Sequence, residues 1–309
     1  ESKARVVQRM RELNYWPNIS ARRLRTGNSY SIGLVIPTLA DHFFAEVAKG
    51  LVETVRAAGY GLLISSSEED PEIERHEIEL QLSRQVDALI VASVQESAEF
   101  FAALGEQKAP LILIGRKLPS FPSHFVGVRD QDIGYAAAAH LIQMGCRRPA
   151  YLRGPRTAAG DLRYSGYLAA LHEHNVSFRP GLVVEAGDVI RPEYQRGYDA
   201  MIRLLTKSGR PDGVMCYSDL LAVGVIDAAL EKDLRVPEDV AVVGCGNLPS
   251  TREMRVPLSS VDLSGYEVGQ RTAKLVLRAL SAKGVAADRN LMLLPQMVVR
   301  RSSRRQAKA

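Results

Sequence analysis

Apolar positions along the chain follow two alternating patterns. Short runs rich in Val, Ile and Leu recur without polar alternation: "SIGLVIP" (31–37), "YGLLIS" (60–65), "DALIVAS" (87–93), "PLILIG" (110–115), "HFVGV" (124–128), "PAYLRG" (149–154), "LVVEAG" (182–187), "DGVMCYS" (212–218) and "VAVVGCG" (240–246). Strands covered on both faces look like this, because neither face is left for water. Between them lie amphipathic stretches. In "FFAEVAKGLVETVRAAGY", Phe44, Val47, Leu51, Val55 and Ala58 recur at helical spacing, and Gly59 stands where a left-handed cap is wanted. "EDPEIERHEIELQLSRQ" opens with Asp70 as N-cap and Pro71 in the first turn. The same periodicity predicts helices over 97–107, 132–144, 160–174, 192–207, 218–231 and 265–283.

Strand–helix alternation on this scale predicts an α/β fold of doubly wound parallel sheets. The strands are too many for one compact half, so two lobes are expected. No change of composition marks a linker between them, which predicts several chain crossings. The first thirty residues differ. "ESKARVVQRMRELNY" is one helix with Val6, Val7, Met10 and Leu13 on its apolar face, stopped by "WPN". "ISARRLRTGN" is helix-competent but only about eight residues long, too short to hold in water without a partner.

Charge sharpens the contrast. The 309 residues carry a net charge of +5, and the excess sits at the ends. Basic residues outnumber acids strongly in residues 1–30, and the last ten, "RRSSRRQAKA", contain no acid, while the body between is acidic overall. A basic end is either a solvated tail or an electrostatic footprint for nucleic acid.

Candidate chemistry is sparse. Cys146, Cys216 and Cys245 lack C-x-x-C spacing, so neither a disulfide framework nor a zinc site is expected, and a reducing cytoplasm fits. No run of 18 apolar residues could span a membrane. "GCGNLP" (244–249) has two glycines of a dinucleotide fingerprint but not the third. No phosphate loop, G-x-S-x-G or H-E-x-x-H is present. The sequence therefore predicts no cofactor, no metal and no enzymatic activity.

Several segments, in order, resemble the LacI/GalR family of bacterial transcriptional repressors. They are "RELNYWPNISARRLRTGNSYSIGLVIP", "DHFFAEVAKG", "QVDALIV", "AAHLIQMGCRRPAYLRGP", "RYSGYLAAL", "PDGVMCYSDLLAVGVIDAALEKDLRVPEDVAVVGC" and "VPLSSVDLSGYEVG". Together they cover nearly the whole chain. The resemblance implies two lobes of periplasmic-binding-protein type joined by three crossovers, an effector in the cleft between them, a homodimer and a palindromic operator DNA. It divides the chain into the last headpiece helix (1–17, the recognition helix being absent), a hinge helix and linker (18–30), an N-terminal lobe (31–129 with 262–283), a C-terminal lobe (130–261 with 284–301) and a basic tail (302–309). In the hinge, Leu24 matches the leucine that wedges into the minor groove, Ala21 the small residue at the helix contact, and Arg22, Arg23 and Arg25 would lie against phosphates. A periplasmic solute receptor shares the fold but has no use for "SARRLRTG" at its entrance.

The resemblance also implies effector contacts. Asp41 and Phe43 would line the N-terminal lobe, Phe43 as apolar wall or as core. Arg163 matches a cleft arginine, and Ser218 and Asp219 stand where the family has N-D, although Asp219 could serve only as a helix cap. Three positions depart from the family pattern: Arg129 replaces an acid, Gly246 replaces a ligand-binding acid, and Leu263 replaces a glutamine. Two alternatives follow. Arg129 and Arg163 could clamp an anionic effector such as a sugar acid or phosphosugar, or Arg129 could pair with Asp130 or Asp132 beside a neutral sugar.

Overall fold

The computed structural model describes residues 5, 8–10, 12–14, 27–104, 109–118, 121, 123–154, 158–186, 191–206, 209–281 and 290–305. Arg5, Gln8–Met10 and Glu12 are helical. The hinge residues Ala21, Arg22, Arg23, Leu24 and Arg25 lie outside the described residues.

The core begins with β1 (Ser31–Ile36), α1 (His42–Ala57), β2 (Gly61–Ser66), α2 (Pro71–Ser83), β3 (Ala88–Val91), α3 (Glu99–Ala103), β4 (Leu111–Ile114) and β5 (His124–Val128). It continues with α4 (Asp130–Gln143), β6 (Pro149–Arg153), α5 (Ala158–Glu173), β7 (Val183–Glu185), α6 (Glu193–Leu205), β8 (Gly213–Cys216), α7 (Asp219–Glu231) and β9 (Ala241–Cys245). It ends with β10 (Ser259–Asp262), α8 (Gly265–Leu280), β11 (Asn290–Leu293) and β12 (Gln296–Val298). Local chemistry sets the helix starts. The Asp41 side chain accepts from Phe43 N, and Asp70 accepts from Glu72 N and Ile73 N ahead of its first-turn proline.

The strands form two six-stranded sheets. One has the order β11-β5-β4-β3-β1-β2 and the other β12-β10-β9-β8-β6-β7. All neighbours are parallel except β10 and β12. The chain passes between sheets three times: after β5, after β10 and after β11. The central strands are fully buried, which is why their sequences lack polar alternation. One apolar cluster runs from β1, β3 and α1 through α4 into β6 and β8, so the lobes are not separate beads.

Two boundaries need correction. Residues 284–301 were expected in the C-terminal lobe, but Asn290–Leu293 pairs with Phe125–Val128 at the edge of the first sheet. The 302–309 stretch was expected to be a basic tail, yet its described part is built into the second lobe. Ser302 and Ser303 are fully buried. Ser302 Oγ donates to Val242 O at 2.6 Å and accepts from Ser259 N at 2.8 Å. Arg305 Nε donates to Pro237 O at 2.8 Å. Small hydroxyls here satisfy backbone groups that burial would otherwise leave unpaired.

The entrance to the core is fastened too. The Asp87 carboxylate, just before β3, accepts from Ser29 N at 2.8 Å and Tyr30 N at 2.7 Å. The segment entering β1 thus meets the first sheet at a fixed point.

Candidate functional site

In each sheet the strand order reverses once, between β1 and β3 in the first and between β6 and β8 in the second. Open α/β sheets bind ligands outside the carboxyl ends of the strands at such a reversal. β1 delivers Asp41 and Phe43 to this point, and β8 delivers Tyr217, Ser218 and Asp219. β4 is followed by Arg116, β5 by Arg129 and Asp130, and β9 by Gly246 and Asn247. The two sets face each other. His42 lies within electrostatic reach of Asp219, Asp41 of Cys245, and Arg116 of both Asp130 and Tyr217.

The centre of the site is an ion pair. Arg163 Nε donates to Asp130 Oδ1 at 2.9 Å, with the two side chains only 11% and 14% exposed. The guanidinium lies 4.5 Å from the centre of the Tyr217 ring, and Nη1 reaches Tyr217 O at 3.4 Å. A planar guanidinium that stacks on a ring while donating from its edge suits arginine rather than lysine. Burial pushes the Asp130 carboxyl above the usual carboxylate range, and Arg163 pulls it back. Arg163 is therefore not a surface helix residue but a buried, oriented cation with its counter-ion in place.

Arg129 differs from the expected clamp. It precedes α4 with its side chain 54% exposed, and Nε meets Asp132 Oδ2 at 3.1 Å. The structure thus realises the alternative in which Arg129 pairs with a nearby acid, and Arg163 takes the other.

Ser218 takes the capping part expected of Asp219, and Asp219 takes neither of its expected parts. Ser218 caps α7, accepting from Leu221 N at 3.3 Å, and donates to Glu193 Oε2 at 2.6 Å. Asp219 is 3% exposed, accepting from Ser260 Oγ at 2.6 Å and Leu248 N at 2.5 Å. It is neither the cap nor open to a ligand, but holds the loop after β9 in place. Burial raises its carboxyl, and both hydrogen bonds oppose that.

Asp41 is exposed at the start of α1, with Oδ1 accepting from Phe43 N at 2.9 Å. Phe43 is half-buried edge-on against Phe44 and packs on the first core. Gly246 adopts φ 123°, a conformation open mainly to glycine. Leu263 is half-buried against the core cluster, an apolar contact where a glutamine would have offered hydrogen bonds.

Sequence patterns missed Tyr217, Arg116 and Asn247, and named Asp130 only as a partner for Arg129. Each follows a strand end by one or two residues, a signal available in "GRK", "RDQ", "CYS" and "CGN" but silent about which side chain turns inward. Burial pushes the Cys146 and Cys245 thiols up to about 12, so neither supplies a thiolate at neutral pH. Among the described residues no cluster of His, Cys, Asp and Glu could hold a metal, and no helix is long and apolar enough to cross a membrane.

A family model for the periplasmic binding protein-like domain matches residues 138–303. The HTH-type transcriptional repressor PurR of Haemophilus influenzae is 28% identical over 96% of this chain and 88% of its own length. The chain belongs to the periplasmic binding protein-like family, as a LacI/GalR regulator. Solved structures agree. Transcription regulator GntR from Chromobacterium violaceum matches with a TM-score of 0.80 at 26% identity, covering 88% of this chain and 99% of its own. A transcriptional regulator CelR–cellobiose complex matches with a TM-score of 0.78 at 26% identity, covering 96% and 89%. The relatives of this LacI/GalR chain are regulators, not enzymes.

Proposed function

We propose that this chain is the effector-reading part of a homodimeric repressor that binds a palindromic operator. A small neutral, polyhydroxylated effector lies in the cleft between the two sheets. Its binding changes lobe orientation, and with it the order of the hinge segment around Leu24. The closed Arg163–Asp130 pair carries the choice of effector. A sugar presents neighbouring hydroxyls that donate to Asp130 and accept from Arg163 together. An anion would have to displace Asp130 from Arg163, and Arg129 is already occupied by Asp132. The structural relative solved as a complex with cellobiose lends support from its own ligand. The anionic alternative, with Arg129 and Arg163 as clamp, requires both pairs to open.

Thermal melting against cellobiose, glucose, gluconate, glucose 6-phosphate and adenine separates the two. A ligand at a hundredfold excess over its dissociation constant stabilises the native state by about 2.7 kcal/mol. Neutral sugars are expected to raise the midpoint. A rise with gluconate or glucose 6-phosphate alone would restore the clamp and reject the neutral effector.

A further inference from the structure

The loop after β9 is tied to the second crossover by side chains that the Arg163–Asp130 site does not use. Asn247, at φ 52°, donates its backbone N–H to Ser260 Oγ at 2.9 Å. Its Nδ2 donates to Asp262 Oδ2 at 2.8 Å, and its Oδ1 accepts from Arg300 Nη2 at 2.6 Å. Both ends of the amide are therefore held. Arg300 is itself anchored, with Nη1 donating to Leu258 O at 2.7 Å and its backbone N–H to Ser259 Oγ at 2.8 Å.

Asp262 is a junction. It is the last residue of β10 and stands opposite Gln296 of β12, so the second and third crossovers run side by side here. Its other oxygen accepts from Ser264 N at 2.7 Å, and Ser264, at φ 52°, precedes α8. From α8 the path enters the first lobe through backbone contact. A β-carbon on Gly265 would lie 2.9 Å from Phe43 O. Side chains on Gly50 or Gly269 would overlap the carbonyl oxygens of Tyr266 and Val47. Helices α1 and α8 are thus packed too closely to slide independently.

We propose that Asn247, braced by Arg300, is a positioning residue that couples the Gly246–Leu248 loop to the inter-lobe hinge, through Asp262 and α8 to Phe43. The proposal rests on the inter-lobe cleft being the effector site, but its test needs no effector. Failure of one is therefore distinguishable from failure of the other.

Hydrogen–deuterium exchange on the whole chain provides the test. Asn247→Asp keeps a residue that tolerates the left-handed backbone but removes the donor and sets two carboxylates together. Exchange is expected to rise about tenfold at residues 262–266, and also at 41–45, which Asn247 does not touch. Adding Asp262→Asn reverses the donor and acceptor and should return both segments to wild-type exchange. Arg300→Lys leaves Asn247 in place but withdraws half of its brace, so it should raise exchange in the same two segments. That variant carries the comparison if Asn247→Asp does not fold. A rise confined to 245–250 and 262–266, with 41–45 unchanged, overturns the coupling. So does a double variant that melts like wild type yet fails to restore exchange at 41–45.

Discussion

Asp130→Ala should destabilise the protein by about 3–5 kcal/mol in urea denaturation, the range for breaking a buried ion pair from one side. Arg163 would be left with an uncompensated charge, since its side chain is 11% exposed and its other contacts, Tyr217 O, the Tyr217 ring and the Cys245 thiol, are uncharged. Asp130→Asn keeps the shape and one acceptor, so it should cost less. The contrast between the two variants separates charge from packing. If Asp130→Ala lost less than about 1 kcal/mol, the pair would behave as a solvent-exposed one, and the cleft would be wetter than the structure shows. The pH dependence has a definite sign. Burial holds the folded Asp130 carboxyl above its unfolded value, so folding takes up a proton in that window. The Asp130 contribution therefore makes stability fall as pH rises through it, and Asp130→Asn should flatten that slope.

Gly166→Ala should be comparably damaging, at about 3 kcal/mol or more, because the obstacle is backbone rather than a movable side chain. Helices α4 and α5 cross with Gly134 against Arg163 O and Gly166 against Gln131 O, and a β-carbon at either glycine would overlap that oxygen. Pushing the helices apart would also move Asp130, at the start of α4, away from Arg163 on α5. Loss of stability should therefore come with loss of the effector response. A Gly166→Ala protein that melts like wild type would show that the crossing is looser than described.

Much of the fold was legible because buried strands and amphipathic helices write different periods. All nine strand runs and the long helices fell near their observed places. The missed strands, Ser259–Asp262, Asn290–Leu293 and Gln296–Val298, are three or four residues long. β10 buries two serines, while β11 and β12 are partly exposed at sheet edges, so none writes a clean apolar run. The same chemistry hid the ending: "RRSSRR" reads as solvated, but its serines are consumed by buried backbone groups.

Apart from Arg163, the site was legible by loop rather than by side chain. "VRDQD" marked the right turn, yet Arg129 was singled out while Asp130, one residue later, faces the cleft arginine. Successive residues entering a helix point about 100° apart, and a motif does not say which one turns inward. Asp219 was misread for a related reason. Its partners, Ser260 and Leu248, lie 41 and 29 residues away, beyond any local pattern. The departures at Gly246 and Leu263 were visible, but their setting, a positive φ at one and half-burial at the other, was not.

Hydrogen–deuterium exchange with cellobiose, or whichever neutral sugar gives the largest melting shift, tests the central claim most directly. An effector held between the lobes should protect both walls at once: residues 41–45 and 115–117 of the first, and 130–133 and 217–219 of the second. Protection of one wall alone, or of neither while the sugar still binds, would place the ligand elsewhere and contradict the inter-lobe site.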